Sequence, residues 1–218
     1  MTQPATERMK LRRGADRAVY EPAEIEAILD VGVVAHVGVD SGDGPIVLPM
    51  AYGVADGKLY LHGALANALL RAGSGVDVCA TVTILDALVV ARTPFHNSFN
   101  YRSVVIRGTA NKVDDPDEKV AALKVINDHI VDTWDTARPP SESDIRRTLV
   151  LAVPLTEASA KVRSGDPIDD DEDMDGPHWS GLLPLMSTWG DPVSAADLRG
   201  ETEIPTAVVE LGGTNAHP

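Results

Sequence analysis

The chain has 218 residues, 44% of them hydrophobic and 24% charged, which is enough for one substantial globular domain and short for two. A formal net charge of −14 argues against nucleic-acid binding, which needs a basic face to neutralise phosphates. No apolar run is long enough to span a membrane, the polar start lacks the apolar core of a secretory signal, and the single cysteine, Cys79, excludes an intrachain disulfide, so a cytoplasmic location is expected.

Residues 1–18 carry Arg8, Lys10, Arg12, Arg13 and Arg17 and are expected to form a basic, solvated arm, flexible or draped on the domain. EPAEIEAILDVG (21–32) reads as a short helix, with proline in its first turn, Glu24 and Glu26 near its positive end and Gly32 as the stop. A strand, VVAHVGV (33–39), and a turn, SGDG (41–44), precede a second strand, PIVLPMAYGV (45–54). Pro49 removes a ladder donor from that strand, which places it at an edge, at a bulge or against a ligand. ADG (55–57) turns the chain into KLYLHG (58–63), and ALANALLRAG (64–73) reads as a short helix stopped by Gly73.

VDVCATVTI (76–84) alternates apolar and polar residues with period two, hence a half-buried strand. DALVVAR (86–92) is expected as another strand, and YRSVVIRGTANKV (101–113) as its return. PDEKVAALKVINDHIVDTWD (116–135) is the strongest helix, with Val120, Leu123, Ile126, Ile130 and Trp134 forming one stripe. ARPPSESD (137–144) reads as a loop and TLVLAVPL (148–155) as a last core strand. Beyond about residue 164 the chain reads as irregular, with DDDED (169–173) as a solvated acidic loop. Six or seven strands joined by short turns, with helices between them, predict a mainly β, antiparallel, barrel-like α+β domain over 19–190, between the arm (1–18) and an irregular tail (191–218).

The glycine pattern of a dinucleotide-binding unit, the phosphate-binding GxxxxGK[ST] loop and the GxSxG elbow are all absent. The densest chemistry lies in ARTPFHNSFNYRSV (91–104), which holds both phenylalanines of the chain. His96 has no second ligand at metal spacing, the six histidines being scattered at 36, 62, 96, 129, 178 and 217. Ser98 or Ser103 with His96 lacks the strained elbow of a nucleophilic triad. Two readings remain open. One is a hairpin connection whose Asn and Ser side chains cap turn amides. The other is an anion pocket, in which strand pairing holds Arg92 and Arg102 close enough to fork onto a phosphate, with Ser98, Asn100 and Ser103 as neutral donors.

The same stretch resembles the ARSxFHxSxNYRSV signature of the pyridoxamine 5′-phosphate oxidase-related, flavin-nucleotide-binding proteins, which include nitroimidazole-resistance proteins. PIVLPMAYGVADGKLYLHGA (45–64), TILDALVVAR (83–92) and KVRSGDPIDDDED…HWSGLLPL (161–185) agree in order, and GADR (14–17) resembles the family's usual entry into the domain. The resemblance implies an FMN-binding split β-barrel, forming a homodimer with flavin at the interface. By that resemblance Leu48, Pro49, Met50, Ala51 and Tyr52 line the isoalloxazine. His62, Gly63 and Ala64 meet the ribityl-phosphate, followed by Asn67 and Arg71. Arg92, Asn100, Arg102 and Ser103 complete the polar side, and Trp179 covers the flavin or seals the barrel. One departure stands out: many relatives place a lysine or arginine just after the histidine segment, whereas here Ala66, Asn67 and Ala68 precede the first cation, Arg71.

The implied activity is a flavin-dependent oxidoreductase acting on a small substrate, with His62 and Tyr52 as proton donors near the ring. Pyridoxamine 5′-phosphate oxidation itself is not expected, because the arginine-and-histidine substrate signature of those oxidases is not evident in PTAVVELGGTNAHP (205–218). The alternatives are a flavin-binding or storage module without turnover, and a split barrel that binds the deazaflavin F420 or haem. No nucleic-acid or membrane partner is expected.

Overall fold

The computed structural model describes residues 3, 4, 6–65, 67, 70, 71, 74–200 and 202–218. After a two-residue strand β1 (Ala18–Val19), helix α1 (Pro22–Val31) opens on its proline and buries Ile25, Ile28 and Leu29, the three- and four-residue spacing that aligns side chains on one face. It stops at Gly32, whose N–H donates to Ile28 O at 3.1 Å. β2 (Ala35–Asp40) alternates, with Ala35, Val37 and Val39 buried. β3 (Pro45–Met50) pairs with it at the sheet edge, so Pro49 sits where a missing ladder donor costs least. The expected single strand 45–54 breaks at Ala51, and β4 (Tyr52–Ala55) belongs to a different sheet. Asp56 and Gly57 both have positive φ (51° and 67°), matching the primed hairpin turn that leads into β5 (Lys58–Ala64).

The two strands expected at 76–84 and 86–92 are one long strand, β6 (Asp77–Val90), with a register shift between Leu85 and Ala87. A single 3₁₀ turn at Pro94–His96 returns the chain into β7 (Ser98–Thr109), followed by β8 (Asn111–Lys112). Helix α2 (Pro116–Ile130) begins under Asp115, whose carboxylate accepts from the N–H groups of Asp117 and Glu118. It ends five residues earlier than the sequence pattern suggests, because Val131 turns extended and Trp134 falls in the following turn. The segment expected as a loop contributes α3 (Glu142–Arg147), started by a reciprocal capping box between Ser141 and Asp144. Strands β9 (Thr148–Pro154), β10 (Ala158–Arg163) and β11 (Gly181–Pro184) and helix α4 (Thr206–Leu211) complete the chain. The helix expected over 64–73 falls partly on Ala66, Ala68, Leu69, Ala72 and Gly73, which lie outside the described residues.

All strand pairings are antiparallel. A seven-stranded sheet runs β1-β10-β7-β6-β2-β3, with β11 added along the far end of β6, and a four-stranded sheet runs β4-β5-β9-β8. The two share one core, in which Val37, Ile84 and Ile106 from the first meet Leu59, Leu61 and Leu151 from the second. The architecture is therefore the expected mainly β α+β class, but no pairing among the described residues joins the sheets into a closed barrel. α2 covers the other face of the small sheet, packing Ala122 and Ile126 against Tyr60, Val150 and Ala152. No helix among the described residues is long and apolar enough to cross a membrane.

The arm, expected to be flexible or draped, and the tail, expected to be irregular, both contact the domain. The arm is held where Thr6 and Arg8 bind Glu157 and Arg8 also reaches Asp77, and the tail returns His217 to the carbonyl of Val31 at 2.8 Å. Asp169, in the acidic run read as solvated, has a buried side chain, 1% exposed.

Candidate functional site

A cavity of about 240 Å³ opens beside His62, where the end of β5 meets α2 and α3. Leu123, Ile126, Ile130, Trp134 and Ile145 supply apolar walls, and Asn127, Asp144 and Thr148 supply polar positions. His62 Nδ1 is buried with no hydrogen-bond partner among the described residues. Burial lowers the His62 pKa, so the ring is neutral at neutral pH. A neutral imidazole with uncommitted nitrogen lone-pair capacity, set in apolar surroundings, suits ligation or proton transfer more than ion pairing. Among the described residues there is no cluster of three or more His, Cys, Asp or Glu side chains that could hold a metal ion.

None of the residues expected next to His62 is among those that line the cavity, but Gly63 and Asn67 pack together at the end of β5. A Cβ on Gly63 would come within 2.7 Å of Leu70 Cδ1, so the glycine lets buried Leu70 reach the core. Asn67 accepts the N–H of Leu70 at 3.2 Å, and the N–H of Arg71 donates to Asn67 O at 3.1 Å. That turn carries Arg71 with an exposed side chain, and Ala64 is exposed as well.

The Arg92–Arg102 pocket does not form as expected. Arg102 stands opposite Ile84, whereas Arg92 lies past the end of β6, which puts them on the order of 25 Å apart along the strand. Each guanidinium is occupied. Arg92 binds Asp169 at 2.7 Å and Ser180 Oγ at 2.9 Å, and Arg102 binds Asp86 at 2.9 Å and the carbonyls of His217 and Pro218. Burial pushes the Asp169 carboxyl up, but the N–H and guanidinium of Arg92 outweigh it and hold the group below its ordinary value. Asn100 is buried, accepting from Arg163 and donating to Gly165 O at 3.1 Å. Ser103 pairs its hydroxyl with Thr83 across the sheet at 3.2 Å.

The motif around these residues is a hairpin connection, since Asn97 Oδ1 accepts the N–H of Ala91 at 2.8 Å. Phe95 is 91% exposed, and His96 Nδ1 is buried without a partner among the described residues. Tyr52, expected beside a flavin ring, is fully buried, and its hydroxyl donates within the core to the carbonyls of Leu29 (2.6 Å) and Gly32 (2.8 Å). Burial raises its pKa, so it is a poor proton donor to a ligand. Leu48 and Pro49 are exposed, Met50 and Ala51 are half-buried, and Trp179 is 67% exposed. Sequence reasoning missed the walls that α2 and α3 give the His62 cavity, although the Ser141–Asp144 capping spacing marks the start of α3.

Comparison with known proteins shows what the chain as a whole is similar to. The family profile described as pyridoxamine 5′-phosphate oxidase matches residues 21–162. The flavocytochrome Anf3 from Azotobacter vinelandii is 30% identical, with a TM-score of 0.92 over 98% of this chain and 100% of that one. The FAD- and haem-binding protein from Mycobacterium smegmatis is 29% identical, with a TM-score of 0.87 over 93% and 100%. A putative 5-nitroimidazole antibiotic resistance protein from Bacteroides thetaiotaomicron is 26% identical, with a TM-score of 0.56 over 66% and 86%. No protein of curated function matches the chain.

Proposed function

We propose that this chain, which belongs to the pyridoxamine 5′-phosphate oxidase family, is a flavin-binding redox protein that also holds a haem in the His62 cavity. Two neighbours that span nearly its whole length support the pairing, one a flavocytochrome and the other an FAD- and haem-binding protein. The observation that carries the haem is local: a neutral histidine with an unpartnered buried Nδ1, walled by Leu123, Ile126, Ile130, Trp134 and Ile145. Those residues would give an apolar macrocycle one imidazole ligand and a partly apolar wall, and the cavity, at about 240 Å³, would have to widen to admit it.

When bound, a haem supplies one-electron transfer and a flavin one- or two-electron transfer. His62 would hold the iron, and the apolar side chains of α2 and α3 would exclude water around it. The flavin, FMN or FAD, would lie along the exposed edge formed by Leu48 and Pro49, within the two-sheet arrangement read as a split barrel. Arg92 and Arg102 would serve as structural ion pairs. The activity is an oxidoreductase one, moving electrons between a reductant and a small acceptor. A second copy of the chain completes the flavin site. Its footing is the apolar row of Phe99, Leu88 and Leu183, paired across β7, β6 and β11 and 48%, 36% and 63% exposed.

The test is titration of the purified chain with haemin and with FMN, comparing wild type with His62→Ala. The variant is expected to lose the haem Soret band and keep its flavin affinity. Loss of flavin with retention of haem would reassign His62 to the flavin site.

A further inference from the structure

A second cavity, of about 310 Å³, lies on the opposite side of the core from His62, between the N-terminal arm and the outward faces of β7 and β10. Arg12, Arg13 and Lys161 line it together with the hydroxyl-bearing Tyr101, Ser103 and Ser159, and no carboxylate is among its lining residues. In a chain of net charge −14 this is an unusual concentration of one sign.

The pairing along the arm sharpens the contrast. Arg8 is bound to Asp77 and Glu157, Lys10 to Glu7 and Arg17 to Asp16. The two arginines between them, which face the cavity, have no such partner among the described residues. The arm is also held in place there. The N–H of Leu11 donates to Tyr20 Oη at 2.9 Å, and Lys161 Nζ donates to Arg13 O at 3.2 Å. Gly14, at φ 66°, makes the left-handed turn that packs against the end of the Lys161 side chain.

A second feature extends the positive field along the same face. Arg163 follows Lys161 by two residues on β10 and is 6% exposed, with its guanidinium bonded, among the described residues, only to neutral groups: Asn100, Gly165 O and Asp166 O. Burial, and then the neighbouring Arg17, lower its pKa, as an environment short of negative charge requires.

We infer that this cavity binds a phosphate ester, with Arg12, Arg13 and Lys161 as its cations and the hydroxyls of Ser103 and Ser159 as neutral donors. Preformed cations around a recess with no carboxylate favour a compact dianion, and the planar arginine fork suits phosphate oxygens. The phosphate has two possible sources, a flavin nucleotide or a separate phosphorylated substrate, and only the first rests on the flavin reading above.

Calorimetric titration of the full chain with inorganic pyrophosphate tests the site itself. Wild type is expected to bind, more weakly as salt rises, and both Arg12→Gln/Arg13→Gln and Lys161→Gln are expected to bind at least about tenfold more weakly. Lys10→Gln, outside the cavity, is expected to bind as wild type does. FMN and riboflavin titrations then identify the source. An FMN preference that vanishes in the double variant supports the flavin nucleotide, and unchanged FMN binding supports a separate phosphorylated ligand. Pyrophosphate bound by a wild type that binds neither flavin would end the flavin reading and leave the site standing. No pyrophosphate binding by wild type, equal binding by the cavity variants, or an equal loss in Lys10→Gln would overturn the inference.

Discussion

Tyr52 and Asp169 show how a single side chain changes role between sequence and fold. Tyr52→Phe removes the hydroxyl that bridges Leu29 and Gly32, so urea unfolding is expected to show a loss of about 1–2 kcal/mol with flavin affinity unchanged. A large loss of flavin instead would return Tyr52 to the ligand. Asp169 has its folded pKa depressed, so its pairing with Arg92 is fully present above the ordinary carboxylate range, near pH 4, and is lost as pH falls through the lowered value. Acid should therefore open the 164–180 loop early, as read by proteolysis, and Asp169→Asn should remove that pH dependence. Neither role is legible locally. Tyr52 bonds carbonyls 20 and 23 residues away, and Arg92 meets its partner 77 residues along the chain. The end of β5 at KLYLHG was legible, because turn residues on one side and an apolar run mark a strand locally.

At the scale of elements, α2 reaches the small sheet only because Gly53 has no side chain: a Cβ there would sit 2.7 Å from Val125 O. Gly53→Ala is expected to cost roughly 1–3 kcal/mol in chemical denaturation, since backbone cannot rotate aside. It should also weaken haem binding, because α2 carries Leu123, Ile126 and Ile130 into the His62 cavity. Undiminished haem affinity in a destabilised variant would detach the cavity from α2 docking. End signals made α1 readable, and strong periodicity the body of α2. β10 escaped notice because its inward positions, Ala158, Ala160 and Val162, are mostly small and give little alternation. β6 read as two strands because the bulge at Leu85–Ala87 shifts the alternation partway along one.

For the whole molecule, antiparallel strands joined by short turns were apparent from turn chemistry, but the division into two sheets was not. It depends on the chain changing sheets at Ala51, for which the sequence carries only the preceding Pro49 as a hint. The exposed row of Phe99, Leu88 and Leu183 predicts a dimer of twice 23.1 kDa by light scattering, and Leu88→Asp should return it to monomer. The protein is expected to hold two chromophores in one fold. The most direct measurement is an absorption spectrum of the purified protein, reconstituted with FMN and haemin, during anaerobic reductive titration. The expected result is a flavin band that bleaches and a haem Soret band that shifts in the same molecule. A protein that retains only one chromophore, or neither, after gel filtration would contradict it.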